Sequence, residues 1–232
     1  MTARNDRLYV YALSGPGLPR QFTVLGHRLH SLPLDGVEVV MEHRPPPDLT
    51  MDEVRRQHAI VTRLAARQLA ILPARFGSVA DEASLRSLVS RRRKEIVAAL
   101  EQVRGCAQMT VRIVTPTVPT VSTLSPGPAD ARSGDPASSA RTGTEFLKRR
   151  LARARHVPPE VGILRRELGS LVRSERVAAG EREGLVTVFH LVPHQKLDAY
   201  RRHAAGLLSK LQPRTVRVTG PWPVFAFAPD LF

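Results

Sequence analysis

Eight histidines and a single cysteine, Cys106, are the residues best suited to metal or nucleophilic chemistry in this 232-residue chain. A metal site needs three or four ligands converging at about 2.0–2.3 Å. His27 and His30 stand three apart, and His190 and His194 four apart. The second pair falls across a strand and a helix start, so its spacing has no helical meaning. Neither pair is accompanied by a cysteine or an acidic cluster, and both read as solvated or capped histidines. Cys106 has basic neighbours in sequence that would favour a thiolate, but a small structural thiol is the simpler reading. Ser78 follows Gly77 without the G-x-S-x-G elbow of a hydrolase. Ser14-Gly15-Pro16-Gly17 lacks both a P-loop lysine and the dinucleotide fingerprint, and reads as a turn. The residues therefore offer no catalytic centre, no cofactor site and no metal site.

Three segments invite a different chemistry, that of recognition. Arg91-Arg92-Arg93-Lys94 lies within a helical pattern, where four consecutive residues point all round the axis. Arg92 falls at the edge of the apolar face, within reach of a partner or a carboxylate. Leu72-Pro73-Ala74-Arg75-Phe76-Gly77 puts an arginine and a phenylalanine in an irregular link between two helices. The C-terminal stretch Thr219–Phe227 holds the only tryptophan, Trp222, together with Phe225 and Phe227. A terminus carrying so much apolar area must dock, either back on its own fold or into a partner. Arg75, Phe76, Arg92, Trp222 and Phe225 are accordingly the residues expected to contact a partner or to support the surface that does.

The elements that must position these segments follow from patterning. Lys and Arg number 35 against 21 Asp and Glu, a net charge of +14, spread along the chain rather than gathered in a tail. Such a field attracts acidic proteins, anionic surfaces or nucleic acid and bears on association, not fold. Aromatics are only 5%, so the cores must rely on Leu, Val, Ile and Ala. A lone cysteine excludes an internal disulfide and fits a reducing cytoplasm. Met1–Tyr11 shows no apolar signal core, and no apolar run approaches the roughly 20 residues of a spanning helix.

Leu8–Leu13 reads as a strand, and Arg28–Leu34 with Val37–His43 as a hairpin turning at Asp35-Gly36. A helix is expected from Thr50, its N-cap, to about Ala70, with Val54, His58, Val61, Ala65 and Leu69 or Leu72 inward. A second runs from Asp81 to about Val103, with Leu85, Leu88, Val89, Ile96, Leu100 and Val103 on one face. Gly105 stops it. Met109, Val111 and Ile113 alternate with polar residues as a strand. Residues 115–142, rich in Pro, Ser, Gly and Thr, read as a flexible loop. Helical signal resumes at Gly143 and continues past Pro158-Pro159 through Val161, Leu164 and Leu168. A weak strand near Val177, a central strand at Leu185–Val192, a helix over Lys196–Leu211 and a strand at 215–220 complete the chain. The fold class is α+β. Two small domains are expected, 1–107 and 108–232, the second in the βαββαβ order of a ferredoxin-like sandwich with a tail at 219–232.

Several of these segments carry a family resemblance across nearly the whole chain. Leu8-Tyr9-Val10-Tyr11 looks like the opening strand of the gas vesicle protein family GvpL/GvpF. Ile71–Val79, reading ILPARFGSV, resembles its central V-L-P-x-R-F-G-T-V motif. Gly105 through Arg112 is similar to its G-x-x-E-x-x-V-K stretch, with Gln108 in place of Glu and Arg112 in place of Lys. Thr219-Gly220-Pro221-Trp222-Pro223 matches its terminal T-G-P-W-P, after which Val224 and Phe225 replace the usual Pro-Tyr. The resemblance implies an N-terminal α+β domain and a modified ferredoxin-like C-terminal domain. It also implies a non-enzymatic assembly role in contact with the gas vesicle shell protein and other accessory proteins, in the cytoplasm at the gas-facing surface of the shell. The competing reading is a basic module for nucleic acid or anionic surfaces, though scarce aromatics and scattered arginines argue against specific nucleic-acid binding.

Overall fold

The computed structural model describes residues 7–114, 159–179, 185–210 and 215–231. The loop expected at 115–142 and the helical segment expected from Gly143 through Ala154 lie outside the described residues. What is described is an α+β architecture of two antiparallel sheets with helices against them.

The first sheet is built around β1 (Leu8–Ser14), buried at all seven positions. It pairs with β4 (Val37–His43) on one side and with β5 (Ile71–Pro73) and β6 (Val79–Ala80) on the other. Beyond β4 lie β3 (His27–Leu34) and β2 (Gln21–Val24), a short strand the sequence patterning leaves unassigned. The β3–β4 hairpin turns at Asp35 and Gly36, both at positive φ (50° and 82°), the conformation a two-residue primed turn requires. Pro73 is tolerated because β5 is an edge strand. A bulge between Val10 and Ala12 shifts the register of β1. Leu8, Val10 and Leu13 consequently face one core, and Tyr9, Tyr11 and Ala12 another.

Helix α1 (Met51–Ala65) covers the Tyr9–Tyr11 face. The Thr50 hydroxyl caps it by accepting from the Glu53 amide at 3.3 Å. It ends at Ala65, short of the Ala70 expected. Its buried residues are Gln57, Ile60, Val61 and Leu64, so Val61 of the expected stripe is inward but the face is rotated away from Val54, His58 and Ala65, which are only half-buried. The rotation turns on Gln57, a polar residue at a core position. Its amide nitrogen donates to the Ala74 carbonyl at 3.0 Å and its carboxamide oxygen accepts from the Tyr9 hydroxyl. Helix α2 (Glu82–Val103) lies across the other face, capped by Asp81 and buried at Leu85, Val89, Ile96, Leu100 and Val103. Its backbone leaves helical values at Arg92 (φ −106°, ψ 15°), a local kink.

Gly105, at φ 64°, ends α2 and turns the chain into β7 (Cys106–Val114). The second sheet runs β10 (Thr215–Trp222), β7, β9 (Leu185–Pro193), β8 (Ser174–Ala179), antiparallel throughout. Helices α3 (Pro159–Leu168) and α4 (Leu197–Lys210) pack on one of its faces around Met109, Val111, Ile113, Val188 and Tyr200. The described order in this half is strand, helix, strand, strand, helix, strand. β9 is central, as its apolar run requires.

Candidate protein-docking surface

After β10 the chain does not trail into solvent. Gly220 sits at φ +123°, and a Cβ there would lie 2.7 Å from the Gln108 carbonyl oxygen and 2.9 Å from the Met109 sulfur. Only glycine fits so close an approach. The Gly220–Pro221 peptide is cis. Pro223 and Val224 are buried, and a single 3-10 turn, Phe225–Phe227, follows.

That turn delivers the tail into the core of the first sheet. Val224 and Phe227 join the cluster formed by Leu8, Val10, Leu13, Leu72 and the α2 residues, a cluster that also takes in Leu191 of β9. The tail thus links the two sheets through apolar contact. Polar clamps line its path. The Gln108 side-chain oxygen accepts from the Ala226 amide at 2.8 Å. Arg176 donates to the Ala226 carbonyl at 2.6 Å, and its guanidinium lies 5.5 Å from the Phe227 ring centroid. Arg75 pairs with the Asp230 carboxylate at 3.1 Å. Arg92 donates to the Asp230 carbonyl while pairing with Glu95 at 2.6 Å.

Two arginines singled out from sequence thus meet on one tail residue, from elements 17 positions apart in the chain. Trp222 and Phe225 do not follow Phe227 inward; they remain 39% and 37% exposed. Both rest against His58 of α1, Trp222 edge-on at 5.5 Å and Phe225 stacked at 6.0 Å between ring centroids. The indole N–H donates to the Thr219 hydroxyl at 3.2 Å. Phe76 is half-buried and takes part in neither ring contact.

Beside Trp222 lies an open cavity of about 160 Å³, lined among others by Thr62, Ala65, Val103, Cys106 and Val224. Leu69, 71% exposed, stands at its rim. Burial pushes the Cys106 thiol pKa up, with Arg173 only partly opposing, so the group stays a protonated, apolar wall. Sequence reasoning missed His58, Gln108, Arg176 and Leu69. Leu69, a candidate for the expected α1 stripe, falls outside it because the helix ends at Ala65.

The second cavity, about 240 Å³, opens beside His190. Of the two expectations for His190, solvated or capped, the structure has the second, with the ring buried. Its Nδ1 lies 2.7 Å from the Tyr200 hydroxyl and its Nε2 3.2 Å from the Glu175 carboxylate, which also pairs with Arg165 at 2.8 Å. A carboxylate only accepts, so Nε2 carries the proton and Nδ1 accepts from Tyr200. Burial lowers the His190 pKa against the opposing effect of Glu175, and burial raises that of Tyr200. Every polar atom of the imidazole is therefore engaged. Among the described residues no group of three or more His, Cys, Asp or Glu side chains could hold a metal ion. No described helix is long and apolar enough to cross a membrane.

This geometry defines a two-sheet α+β protein whose aromatic C-terminal tail straps one half to the other and presents an apolar rim. The chain belongs to the gas vesicle synthesis protein GvpL/GvpF family, whose model matches residues 7–229. Its fold is similar to the crystal structure of gas vesicle protein GvpF from Microcystis aeruginosa. The TM-score is 0.69 and the identity 12%, over 97% of this chain and 100% of that one. It is similar as well to gas vesicle protein GvpF from Anabaena sp. PCC7120, with TM-score 0.69 and 14% identity over 97% and 99%. At such identities the likeness is one of fold. No curated protein matches the chain in sequence.

Proposed function

We propose that this chain is a non-enzymatic component of gas vesicle assembly that holds an apolar segment of the shell protein, or of an accessory protein, against the rim formed by Leu69, Trp222 and Phe225. The observation that carries the reading is that Leu69 and Trp222 stay exposed at one cavity, with Phe225 exposed beside Trp222 against the same His58 ring, while the segment bearing Trp222 and Phe225 is fixed by a buried neighbour, Phe227. Preorganised aromatic anchors beside a concavity are what hot spots of protein recognition use. Arg75 and Arg92 act in this reading as supports, holding Asp230 so that the rim keeps its shape; Phe76 is assigned the same supporting part. An apolar rim suits the gas-facing side of a shell, the location this reading assigns. We also read the chain as two folding units, 1–107 and 108–232, the latter a variant of the ferredoxin-like plan, with the tail as a strap between them.

The test is capture of purified shell protein by the wild-type chain and by Trp222→Ala, Leu69→Ser and Arg75→Ala variants. The first two should lose most binding with little change in melting temperature, and Arg75→Ala should lose less. Full binding by well-folded Trp222→Ala and Leu69→Ser would remove the rim from the account.

A further inference from the structure

Among the described residues, the face of the second sheet opposite α3 and α4 is covered over only half its length. Near the start of β7 it meets the tail and the first sheet's core, through Gln108, Phe189 and Leu191. Towards the end of β7 no described residue covers it. There Arg112 of β7 stands directly opposite Arg217 of β10, and both side chains are exposed. Thr187 of β9 flanks Arg112 in the same row. The next row brings Thr215 beside Val114, itself 44% exposed.

Directly opposed residues of an antiparallel pair have Cβ atoms about 4.5–5.5 Å apart, and like charges there are destabilising. Several exposed arginines elsewhere take a local carboxylate, as Arg55 does with Asp52, Arg86 with Glu82, Arg104 with Glu101 and Arg201 with Asp198; Arg112 and Arg217 are set apart by standing directly opposite one another. Arg112 and Arg217 make no hydrogen bond or ion pair among the described residues, and the rows around them contain no acidic residue. Two adjacent guanidinium forks with no carboxylate partner among the described residues, threonine hydroxyls beside them and an exposed valine make a surface complementary to carboxylates carried on an apolar scaffold.

We propose that this half-face is a second docking surface, which takes an acidic, amphipathic segment of a partner protein. A carboxylate bridges Arg112 and Arg217, and apolar side chains of the same segment cover Val114. Single-stranded nucleic acid is disfavoured because its binding surfaces use exposed aromatic platforms, and these rows expose none.

The probe is a fluorescein-labelled synthetic peptide of Glu, Leu and Ala with one acidic and one apolar face, titrated by anisotropy against the full chain. Wild type should bind, with affinity falling as salt rises. The double variant Arg112→Gln, Arg217→Gln should bind at least about tenfold more weakly, the loss of one charge-assisted contact. Its melting temperature should be unchanged or higher, because a like-charge pair has been removed. Trp222→Ala should bind as wild type does, which separates this surface from the apolar rim. Equal binding by the double variant, no binding by wild type, or tighter binding of polyphosphate than of the peptide at the same salt would each overturn the proposal.

Discussion

Phe227→Ala tests whether the tail is part of the fold or merely lies on it. Phe227 is 1% exposed and packed among Leu8, Val10, Leu72 and Leu85. Truncating a buried phenylalanine to alanine costs about 3–5 kcal/mol. The polar clamps are worth far less: Arg75 and Asp230 are 70% and 62% exposed, and exposed ion pairs contribute about 0–1 kcal/mol. The Arg176 guanidinium beside the ring adds about 0.5–1 kcal/mol at an exposed site. Apolar insertion should therefore dominate the anchoring. Urea unfolding should show Phe227→Ala weaker by about 3–5 kcal/mol, Arg75→Ala by less than about 1, and Arg176→Ala near 1. Trp222 is the only tryptophan, so its fluorescence reports the tail while far-UV circular dichroism reports the sheets. In Phe227→Ala the fluorescence transition should move to lower urea than the dichroism transition. A well-folded Phe227→Ala losing less than about 1 kcal/mol, with coincident transitions, would refute the insertion.

Gly220→Ala should undock the tail or prevent folding, since its Cβ would meet backbone at 2.7 Å at a φ of +123°; wild-type stability in that variant would contradict the close approach. Cys106 should alkylate slowly in the native chain at pH 8, because burial holds its pKa up, and rapidly once urea unfolds it; equal rates would mean the thiol is open. His190, ordinarily near 6.5, is lowered by burial. The folded state then binds fewer protons than the unfolded state, so stability is complete above about pH 6.5 and falls as pH drops towards the folded pKa. The slope is at most about 1.4 kcal/mol per pH unit for one proton. Urea midpoints from pH 7.5 to 5.5 should fall in wild type and fall less in His190→Gln; parallel profiles would remove His190 from the acid response.

How far the sequence discloses this molecule depends on which signal each part uses. Strands and helices set by repeated apolar periodicity, such as β9 and α2, are legible because many residues agree. The inward face of α1 is not, because it turns on Gln57, whose polarity hides a buried role that needs the Tyr9 hydroxyl and the Ala74 carbonyl to exist. β1 reads as a strand, but its bulge, which decides which tyrosine meets which core, leaves no mark in the alternation. In the candidate site, Trp222 and Phe225 are conspicuous as aromatics in an irregular terminus. Arg75 and Arg92 are visible only as charges out of place, and their shared target, Asp230, is invisible because the contact spans more than 130 positions of sequence for Arg92. His190 reads as solvated or capped, and the sequence cannot name the caps, Tyr200 and Glu175, because they come from a helix and a neighbouring strand.

The net charge of +14 looks uniform along the sequence, yet the fold divides its arginines by what each one meets. One set is spent within helices, neutralised three or four residues away. A second is turned on backbone carbonyls at the junctions: Arg176 on Ala226, Arg92 on Asp230, and Arg173 on Gln102 and Arg104. There a cation satisfies oxygens that chain ends and turns leave unpaired. Neither set contributes much free field. Arg112 and Arg217 differ, because a sheet register forces them together and supplies no acid. The register thus sets two positive charges side by side on one half-face, while the apolar rim around Trp222 lies on the side of α1. Two surfaces of opposite character, one apolar and one basic, would let the chain hold two different segments at once.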